Sequence, residues 1–271
     1  MMPIPDMEQT QHAFDAAAPV YDATYEGLPG IRRIRTMTSA LYLKYFPRNG
    51  SLLEINCGTG IDAVFLAERT MNVLATDASP RMVEEVRKKV AERGLDGFVE
   101  LRHLAFSQLG SLCGRVFDGA YSNLGGLNCT NMLESVATDL GGLVKPGGFF
   151  IATVMPSFCL WETVAFATRF RWRDAFRRKS GEGTLASLHG GRVRTYYHSP
   201  RAFSAAFAEY FEPVKTVGLA VLLPPPNFER AYALLGRNLH MLESVDEAVA
   251  GLPLFRSIGD HYVMVLRRKS R

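Results

Sequence analysis

The chain contains little cysteine, little net charge and no long apolar run, and each scarcity excludes a class of protein. Its four cysteines are far apart among 271 residues and form no Cys-x-x-Cys pair. Neither a disulfide framework nor a metal site is therefore expected, and a reducing compartment is favoured. The formal net charge of +4 is too small for a surface that binds nucleic acid throughout. No apolar run approaches the roughly 20 residues of a membrane-spanning helix.

The first eleven residues carry Asp6 and Glu8 and lack a basic stretch followed by an apolar one. This pattern differs from that of a secretory signal peptide, so we expect a cytoplasmic protein. The composition is that of an ordinary globular chain with enough apolar residues for a core. We therefore expect a single domain over residues 1–271.

Residues 51–155 alternate short, continuously apolar runs with segments of helical pattern. Such runs are typical of parallel strands that are covered by helices on both faces. Predicted strands lie at residues 51–57, 72–77, 98–103, 117–123 and 149–155, and predicted helices at 61–70, 79–94 and 131–144. The alternation predicts an α/β fold with a doubly wound sheet, whose ligand site lies at the carboxyl ends of the strands.

The rest of the sequence flanks this α/β unit. Residues 1–46 have a helical pattern that is interrupted near Gly27. Two late strands are predicted at residues 214–223 and 261–266. Residues 156–198 and 224–258 are two insertions, and the first is predicted to be helical with a short strand near its end. Because both follow strands whose carboxyl ends border the ligand site, we expect them to form a cap over it.

The most informative stretch, Glu54-Ile-Asn-Cys-Gly58-Thr-Gly60, joins the first strand to a helix, and Asp77 ends the next strand. Glycines in such a turn let the backbone approach a ligand, and the acid can accept hydrogen bonds from ribose hydroxyls. Residues 58–63 also satisfy the dinucleotide pattern GxGxxG/A, which suggests a nicotinamide cofactor. Glu54 argues against that cofactor, because a pyrophosphate site needs no acid whereas a cationic amino-acid ligand does. Two further features argue against a nicotinamide cofactor: a long helical segment precedes the motif, and the chain lacks a second mononucleotide-binding half.

Five motifs between residue 14 and about residue 155 give the chain a family resemblance. They are Phe14-Asp-x-x-Ala-x-x-x-Tyr21-Asp22, Glu54-x-x-Cys-Gly-Thr-Gly60, Thr76-Asp77-x-Ser79-x-x-Met82, Phe117-Asp118-x-x-Tyr-Ser-Asn123 and Leu143-x-Lys-Pro-Gly-Gly148. In order and spacing they resemble the class I S-adenosylmethionine-dependent methyltransferases, in particular the small-molecule branch that includes the ubiquinone/menaquinone-biosynthesis enzymes. The resemblance implies a Rossmann-like sheet of seven strands in the order 3-2-1-4-5-7-6, with the last strand antiparallel. It also implies methyl transfer from S-adenosylmethionine to a small-molecule acceptor, with S-adenosylhomocysteine as the product.

The resemblance further implies which residues bind the cofactor. The turn after the first strand would surround its methionine part, and the acid after the second strand would hold its ribose. The adenine would lie between residues that follow the second and third strands, and the sulfonium beside the end of the fourth. The predicted residues are Tyr21 in the N-terminal segment, which closes over the cofactor; Glu54, Asn56, Cys57, Gly58, Thr59 and Gly60 in the first turn; Asp77, Ala78 and Met82 after the second strand; Ala105 and Phe106 after the third; and Asn123 after the fourth.

Two positions depart from the family pattern. Asn56 stands where the family usually has its first glycine, but asparagine tolerates left-handed backbone angles better than most residues. Ala105 stands where an aspartate often receives the adenine amino group, so Ser107 or a backbone carbonyl is expected to replace it. Neither departure excludes cofactor binding.

No catalytic residue is assigned from the sequence. In-line displacement from a sulfonium needs positioning and exclusion of water, and it needs a base only where the acceptor must lose a proton. His198 directly precedes a Ser-Pro helix start, and His103 lies at a strand end, so a structural role is favoured for both. Tyr121 and Asn128 flank the site after the fourth strand and are further candidates to face a substrate.

Residues 158–179 interleave aromatic and basic side chains at helical spacing. The favoured interpretation is a lid helix whose aromatic residues pack over the site while its arginines face solvent. The alternatives are a membrane-surface helix for a lipid-like acceptor, or recognition of an acidic substrate or a carrier protein. Recognition of RNA is less favoured, because one short cluster gives a small electrostatic footprint.

Several classes of function therefore stay open beside the favoured small-molecule methyltransferase. The chain could instead methylate a macromolecule such as RNA or a carrier-bound or lipid substrate, or it could bind the cofactor without catalysis. A nicotinamide-dependent oxidoreductase is supported only by the glycine pattern. No NPPY-like motif for methylation of a base amino group follows the fourth strand.

Overall fold

The computed structural model describes residues 4–189, 191–226 and 228–270. Residues 1–3 of the predicted N-terminal segment lie outside the described residues, as does residue 271. The same holds for residue 190 in the first predicted insertion and for residue 227 in the second.

The described chain forms a seven-stranded sheet and a separate two-stranded hairpin. The strands are β1 (Ser51–Ile55), β2 (Asn72–Asp77), β3 (Val99–His103), β4 (Phe117–Ser122), β5 (Val144–Val154), β6 (Thr184–Leu188), β7 (Gly191–Thr195), β8 (Phe211–Leu219) and β9 (His261–Arg268). The sheet has the order β3-β2-β1-β4-β5-β9-β8, and β9 is antiparallel to both of its neighbours. Since β8 and β9 are the sixth and seventh strands of this sheet, the predicted order 3-2-1-4-5-7-6 with an antiparallel last strand is confirmed.

Helices separate most strands of the parallel unit, and two helices of the chain begin at a serine whose side chain caps them. The helices are α1 (Ile4–Ala17), α2 (Tyr21–Tyr25), α3 (Pro29–Tyr45), α4 (Ile61–Ala67), α5 (Pro80–Glu92), α6 (Leu133–Leu143), α7 (Leu160–Ala167), α8 (Trp172–Ala175), α9 (Pro200–Phe207), α10 (Glu229–Leu235) and α11 (Leu239–Val249). At the start of α5, Ser79 Oγ accepts a hydrogen bond from the backbone N–H of Met82 at 3.0 Å. Ser199 caps α9 in the same way, so both predicted Ser-Pro helix starts are confirmed.

The inner strands of the parallel unit are buried on both faces of the sheet, whereas the edge strand β3 is largely exposed. Because side chains alternate along a strand, Leu53 and Ile55 of β1 face one side and Leu52 faces the other. The first side packs against α6 and α9, and the second packs against α3, α4 and α5. Helices thus cover both faces and leave the loops at the carboxyl ends of the strands free to form a site.

The hairpin of β6 and β7 packs on α1. Gly191 of β7 lies against Ala13 of α1, where an added Cβ would come within 2.6 Å of the Ala13 methyl group. The sequence predicts a short strand in this region but not β6. Residues 184–188 are only half-buried or exposed, so they lack the apolar run by which the other strands are recognised.

Residues 158–179 do not form the single helix that the spacing predicts, because α7 ends in a Schellman turn. In this turn the N–H of Arg171 donates to the carbonyl of Phe166, and the N–H of Phe170 donates to that of Ala167, both at 3.0 Å. Phe170 occupies the left-handed position, with a φ of 57°, where glycine is usual. A side chain at this position costs roughly 1–2 kcal/mol relative to right-handed backbone.

The side chains of this segment also differ from the favoured interpretation. Phe170 is 83% exposed and Trp172 is 57% exposed, whereas Arg178 is only 7% exposed. Arg178 pairs with Glu162 at 2.7 Å and with Asp260 at 2.6 Å. The expectation of buried aromatic rings and solvent-facing arginines is therefore wrong for these residues. Glu162 and Asp260 lie close enough to share a metal ion with a buried cysteine, but Arg178 already bridges the two carboxylates.

The second insertion, residues 224–258, packs against the first turn of α3. Gly30 lies so close to Tyr232 that an added Cβ would come within 2.8 Å of the tyrosine hydroxyl. Arg33 of α3 pairs with Glu247 of α11 at 2.8 Å. Among the helices of the described chain, none combines the length and the apolar character that crossing a membrane requires.

Candidate active site

A pocket lies at the carboxyl ends of β1, β2 and β4. Its empty space, with the open solvent at its mouth included, is about 980 Å3. The lining residues come from α1 to α4, the turn after β1, the start of α5 and the loops after β3 and β4. Of the thirteen residues predicted from the sequence, Gly60 does not line the pocket, and the other twelve do: Tyr21, Glu54, Asn56, Cys57, Gly58, Thr59, Asp77, Ala78, Met82, Ala105, Phe106 and Asn123.

The turn after β1 is left-handed at three residues, with φ angles of 61° at Asn56, 54° at Gly58 and 76° at Gly60. Asparagine therefore holds the conformation for which the family resemblance predicts a glycine. The side chain of Asn56 fits because Gly126 faces it, and a Cβ on Gly126 would lie 2.6 Å from the Asn56 Cβ. Gly60 lies against Val86 of α5 rather than at the pocket. A Cβ on Gly60 would lie 2.5 Å from a Val86 methyl group, so this glycine lets α5 approach the turn.

Asp77 connects the ends of β1 and β2. Its two carboxylate oxygens accept hydrogen bonds from the backbone N–H groups of Gly58, at 2.9 Å, and Ser79, at 2.8 Å. Burial raises the pKa of Asp77 to about 6, although both hydrogen bonds favour the ionised form. Each oxygen has a further lone pair, so ionised Asp77 can also accept hydrogen bonds from two adjacent hydroxyls of a ribose.

Glu54 of β1 is 2% exposed, and its Oε2 atom makes no hydrogen bond of good geometry among the described residues, although the nearby Tyr121 hydroxyl lowers the pKa of Glu54 slightly against the effect of burial. Burial, together with the negative charge of nearby Asp62, raises the pKa of Glu54 well above its usual value. A buried carboxylate oxygen without a partner is costly unless a donor or a cation reaches it. The position of Glu54 on the pocket wall therefore favours a ligand that brings positive charge.

A second buried acid, Asp62, belongs to a network that the sequence does not predict. Asp62 Oδ2 accepts hydrogen bonds from Arg35 Nη1 and Asn123 Nδ2, both at 2.9 Å. Arg35 also pairs with Glu26 at 2.7 Å. Burial lowers the pKa of Arg35, but the charges of Asp62 and Glu26 outweigh burial and raise it above its usual value. The network fixes Asn123 at the end of β4, facing the pocket.

The charges on the pocket wall are unequal. The charged lining residues of the described chain are Arg35, Glu54, Asp62 and Asp77. Arg35 is already shared between Asp62 and Glu26, which directly follows α2, so its charge does not compensate the other two acids. The field inside the pocket therefore favours a cationic ligand.

Two aspartates hold the N-terminal segment against the pocket. Asp15 of α1 accepts a hydrogen bond from Ser79 Oγ at 2.5 Å, and Asp22 of α2 accepts one from Thr59 Oγ1 at 2.5 Å. Asp22 also pairs with Lys89 of α5. Both aspartates belong to the first of the five sequence motifs. That motif therefore fastens α1 and α2 to the loops that follow β2 and β1.

Helix α1 contributes lining residues that the sequence analysis missed: Met7, Thr10, Gln11 and Phe14. Their helical spacing is the pattern that could have identified them. Thr10 Oγ1 is buried without a hydrogen-bond partner in the part of the chain that the structure describes. Ser107, expected to compensate for Ala105, is exposed and does not line the pocket. Thr10 and Gln11 bring polar atoms to the pocket instead.

The histidines and other candidates for a base are absent from the lining residues. His198 Nε2 lies 3.0 Å from a backbone carbonyl oxygen, and burial lowers the pKa of His198. His103 Nε2 lies 2.8 Å from the carbonyl oxygen of Ala78. Both rings therefore connect chain segments, in keeping with the favoured structural role. Tyr121 and Asn128 are fully buried and likewise do not line the pocket.

The described residues of 156–198 and 224–258 do not line the pocket either. The hairpin of the first insertion packs on α1, and the second insertion packs on α3. Both insertions therefore contact the outer side of helices whose inner side forms the pocket wall.

Comparison with known proteins agrees with this geometry. Residues 52–148 match the methyltransferase-domain family. The ubiquinone/menaquinone biosynthesis C-methyltransferase UbiE of Geotalea daltonii is 34% identical over 99 residues, which are 35% of this chain and 42% of that protein. The chain thus matches less than half the length of this curated relative.

Several solved structures share the fold at low sequence identity. The 1,6-didemethyltoxoflavin-N1-methyltransferase of Burkholderia thailandensis is 18% identical with a TM-score of 0.60, over 100% of this chain and 92% of that one. The [4+2]-cyclase SpnF is 16% identical with a TM-score of 0.65, over 98% of each chain. The geranyl diphosphate C-methyltransferase of Streptomyces coelicolor is 13% identical with a TM-score of 0.57, over 89% of this chain and 81% of that one.

Residues 52–148 thus contain a methyltransferase domain, and the comparisons support the resemblance to the class I S-adenosylmethionine-dependent methyltransferases. The comparisons therefore agree with the resemblance seen in the sequence, and S-adenosylmethionine is the cofactor of that family. The pocket fits the net positive charge of this cofactor, which carries a sulfonium, an ammonium and a carboxylate group. Glu54 offers a carboxylate oxygen without a partner, and Asp77 offers two oxygens at the next strand end.

Proposed function

We propose that this methyltransferase transfers the methyl group of S-adenosylmethionine to a small organic acceptor that binds in the same pocket. The observation that carries the proposal is the buried, unpartnered carboxylate oxygen of Glu54, which lies within the family-matching segment. The ammonium group of a bound amino-acid moiety would satisfy that oxygen. The pyrophosphate of a dinucleotide would instead add repulsion between like charges in a partly buried site.

The cofactor supplies an electrophilic methyl group on a sulfonium. In the proposed arrangement, Asp77 accepts hydrogen bonds from the ribose hydroxyls, and Glu54 faces the amino-acid end. Asn123, which the Arg35–Asp62 pair holds in place, borders the methyl group. Tyr21 and the rest of α2 exclude water from the pocket. Positioning and water exclusion of this kind contribute up to about 7–11 kcal/mol to a displacement, so no general base is required for acceptors without an acidic proton.

Two features support a small acceptor over a macromolecule. The pocket must hold both the cofactor and the acceptor, and its empty space of about 980 Å3 already includes the open solvent at its mouth. Two structural relatives have small organic molecules bound, 1,6-didemethyltoxoflavin in one and geranyl diphosphate in the other. By analogy in fold, the acceptor of this protein is an organic molecule of similar size.

We further propose that the segments outside the α/β unit control access to the pocket. Residues 1–46 close over the cofactor through the hydrogen bonds of Asp15 and Asp22. Residues 156–198 and 224–258 support these helices from outside and border the path of the acceptor. Enclosure of the acceptor by the insertions stays a prediction, and unchanged acceptor turnover after deletion of residues 224–258 would contradict it.

The first test is calorimetric titration with S-adenosylmethionine, S-adenosylhomocysteine and NADH. We expect binding of the first two and none of NADH. Asp77→Asn keeps the shape of the side chain but removes its charge, and hydrogen bonds to a charged group contribute roughly 1.5–3 kcal/mol. The variant should therefore bind both adenosyl compounds roughly 10- to 100-fold more weakly, while the exposed control Asp96→Asn should bind them like the wild type.

The second measurement follows methyl transfer itself, because the cyclase among the structural relatives indicates that the fold alone does not assign the reaction. The labelled methyl group of S-adenosylmethionine is followed into a panel of small organic acceptors and into RNA. Transfer to a small acceptor is expected. Labelling of RNA alone would favour the macromolecular alternative. Binding of NADH without binding of S-adenosylmethionine would contradict the whole proposal.

A further inference from the structure

The end of α7 and the turn into α8 expose a group of large apolar side chains. The exposed fractions are 50% for Val164, 83% for Phe170, 57% for Trp172 and 45% for Phe176. Residues 164–179, which include all four, are termed the aromatic turn below. Single exposed apolar residues are common on protein surfaces, but several within one short segment indicate a contact surface.

Phe170 provides the strongest evidence for a contact surface, because its backbone is left-handed at the helix-ending position where glycine is usual. Glycine or asparagine would suit this conformation better. The ring gains little from packing, since 83% of the residue is exposed. The chain thus holds an aromatic ring in water at a position where the ring weakens the fold. Such an arrangement is typical of residues that act on something outside the chain.

The charges of the aromatic turn are mostly positive. Its exposed basic residues are Arg169, Arg171, Arg173 and Lys179. One acid, Asp174, lies among them and pairs with Arg171 at 2.7 Å. Arg177 pairs with the buried Glu162 and thereby anchors the turn to α7. The aromatic turn therefore combines exposed aromatic rings with an excess of exposed positive charge.

We propose that the aromatic turn docks this protein on the surface of an anionic lipid bilayer. Tryptophan and phenylalanine enter the headgroup region of a membrane, and neighbouring cations attract anionic lipids. The aliphatic side chain of Val164 fits the same environment. A single strand of RNA would use the rings for base stacking along an extended basic groove, where Val164 has no role. Four exposed cations are also a small footprint for phosphate-backbone binding.

Flotation of the full-length protein with lipid vesicles tests this proposal, and it does not depend on the proposed methyl transfer. We expect the protein to float with vesicles of phosphatidylcholine and phosphatidylglycerol and to bind weakly to vesicles of phosphatidylcholine alone. Added salt should weaken the binding because it screens the exposed arginines and lysine. The emission of Trp172, isolated by comparison with Trp172→Phe, should shift to shorter wavelength when anionic vesicles are added.

Phe170→Gly separates docking from folding, because glycine suits the left-handed backbone. Its melting temperature should equal or exceed that of the wild type, while its partition onto anionic vesicles should fall roughly fivefold or more. Arg169→Gln combined with Arg173→Gln should lower the partition roughly tenfold at low salt. The control, Arg201→Gln combined with Lys215→Gln, removes the same charge from exposed sites elsewhere and should change it less than about twofold.

Failure to bind anionic vesicles at low salt would overturn the proposal. Binding that Phe170→Gly and the Arg169/Arg173 variant leave unchanged would do the same. Salt-sensitive binding of single-stranded RNA without vesicle binding would assign the turn to nucleic acid instead. Concentration-dependent dimerisation that Phe170→Gly abolishes, again without vesicle binding, would assign it to a second copy of the chain.

Discussion

Thr10 and Ala105 illustrate how the pocket compensates for a missing polar group. Ala105 has no side chain that could receive an adenine amino group, but the buried Thr10 hydroxyl lines the same pocket without a partner. Thr10→Val keeps the volume and removes the hydroxyl. Because a typical net hydrogen bond contributes roughly 0.5–1.5 kcal/mol, the variant should bind S-adenosylhomocysteine about 3- to 10-fold more weakly in calorimetry.

The stability of the free protein provides the internal check on Thr10→Val. The hydroxyl has no partner to lose in the described chain, so the melting temperature should stay the same or rise. Thr138→Val on α6 is a matched control that should leave the affinity unchanged. Wild-type affinity in Thr10→Val would show that the hydroxyl does not contact the ligand.

Residues on one motif could be predicted from the sequence, whereas residues that meet through packing could not. Glu54, Gly58 and Asp77 lie at strand ends that the pattern of apolar runs locates. Arg35 and Asp62 come from different helices, and only the packing of α3 beside α4 brings them together. In the sequence both look like ordinary charged surface residues, because the burial of an ion pair leaves no local pattern.

At the scale of elements, α2 borders the pocket through Tyr21, and we propose that this helix closes it. Asp22 fastens it to the turn after β1 through Thr59 and to α5 through Lys89. Asp22→Ala should release α2, so that amide hydrogen exchange of residues 4–25 becomes faster and S-adenosylmethionine binds more weakly. Hydrogen-exchange mass spectrometry with and without the ligand measures both effects.

The exposed Asp96, which follows α5, supplies the control for this experiment. Asp96→Ala removes an acid of the same type and should change neither exchange nor affinity. Unchanged protection of residues 4–25 in Asp22→Ala would mean that packing, rather than the Asp22 contacts, holds the N-terminal helices in place.

Elements with clear end signals are the ones that the sequence located best. The Ser-Pro pairs before α5 and α9 mark both helix starts, because serine caps the first turn and proline suits it. The end of α7 was missed because Phe170 occupies a position where glycine would have marked the helix end. Strand β5 begins at Val144, before the predicted residue 149, since Val144 already pairs with Phe117 ahead of an irregularity in register.

For the whole molecule, the acidic pocket couples stability to pH. Burial raises the pKa of Asp77 to about 6 and raises that of Glu54 as well. A carboxyl group with a raised pKa binds its proton more tightly in the folded chain than in the unfolded one. The contribution of these two carboxyl groups to the stability of the free protein should therefore fall as the pH rises from about 4, where a free carboxyl titrates, to about 6, while the lowered pKa of His198 contributes in the opposite direction.

S-adenosylmethionine should reverse this trend, because its positive groups favour the ionised carboxylates. At about 100 times Kd a ligand stabilises by about 2.7 kcal/mol, which raises the melting temperature of a chain of this size by roughly 5 °C or more. We expect this increase to grow between about pH 5 and pH 7 and to grow less in Asp77→Asn. An increase that is independent of pH would contradict the role of these acids. Thermal melts in buffers across this range measure it.

Much of the topology was accessible from the sequence because several of the parallel strands are short apolar runs that alternate with helices. The order of the last two strands came from the family resemblance, since periodicity does not state where a late strand enters a sheet. The sequence predicted only one strand of the β6–β7 hairpin, because the largely exposed strand β6 has no apolar pattern. The insertions pack on helices α1 and α3, and no sequence pattern indicates such partners.

The contact between Asn56 and Gly126 has a consequence for how this sequence can change over evolutionary time. A Cβ on residue 126 would lie only 2.6 Å from the Cβ of Asn56, which is closer than two such atoms can come. A substitution at position 126 is therefore admissible only in a background where position 56 has already become glycine. During divergence, position 56 should therefore become glycine before position 126 gains a side chain. Relatives with glycine at both positions would be the intermediates between the two arrangements.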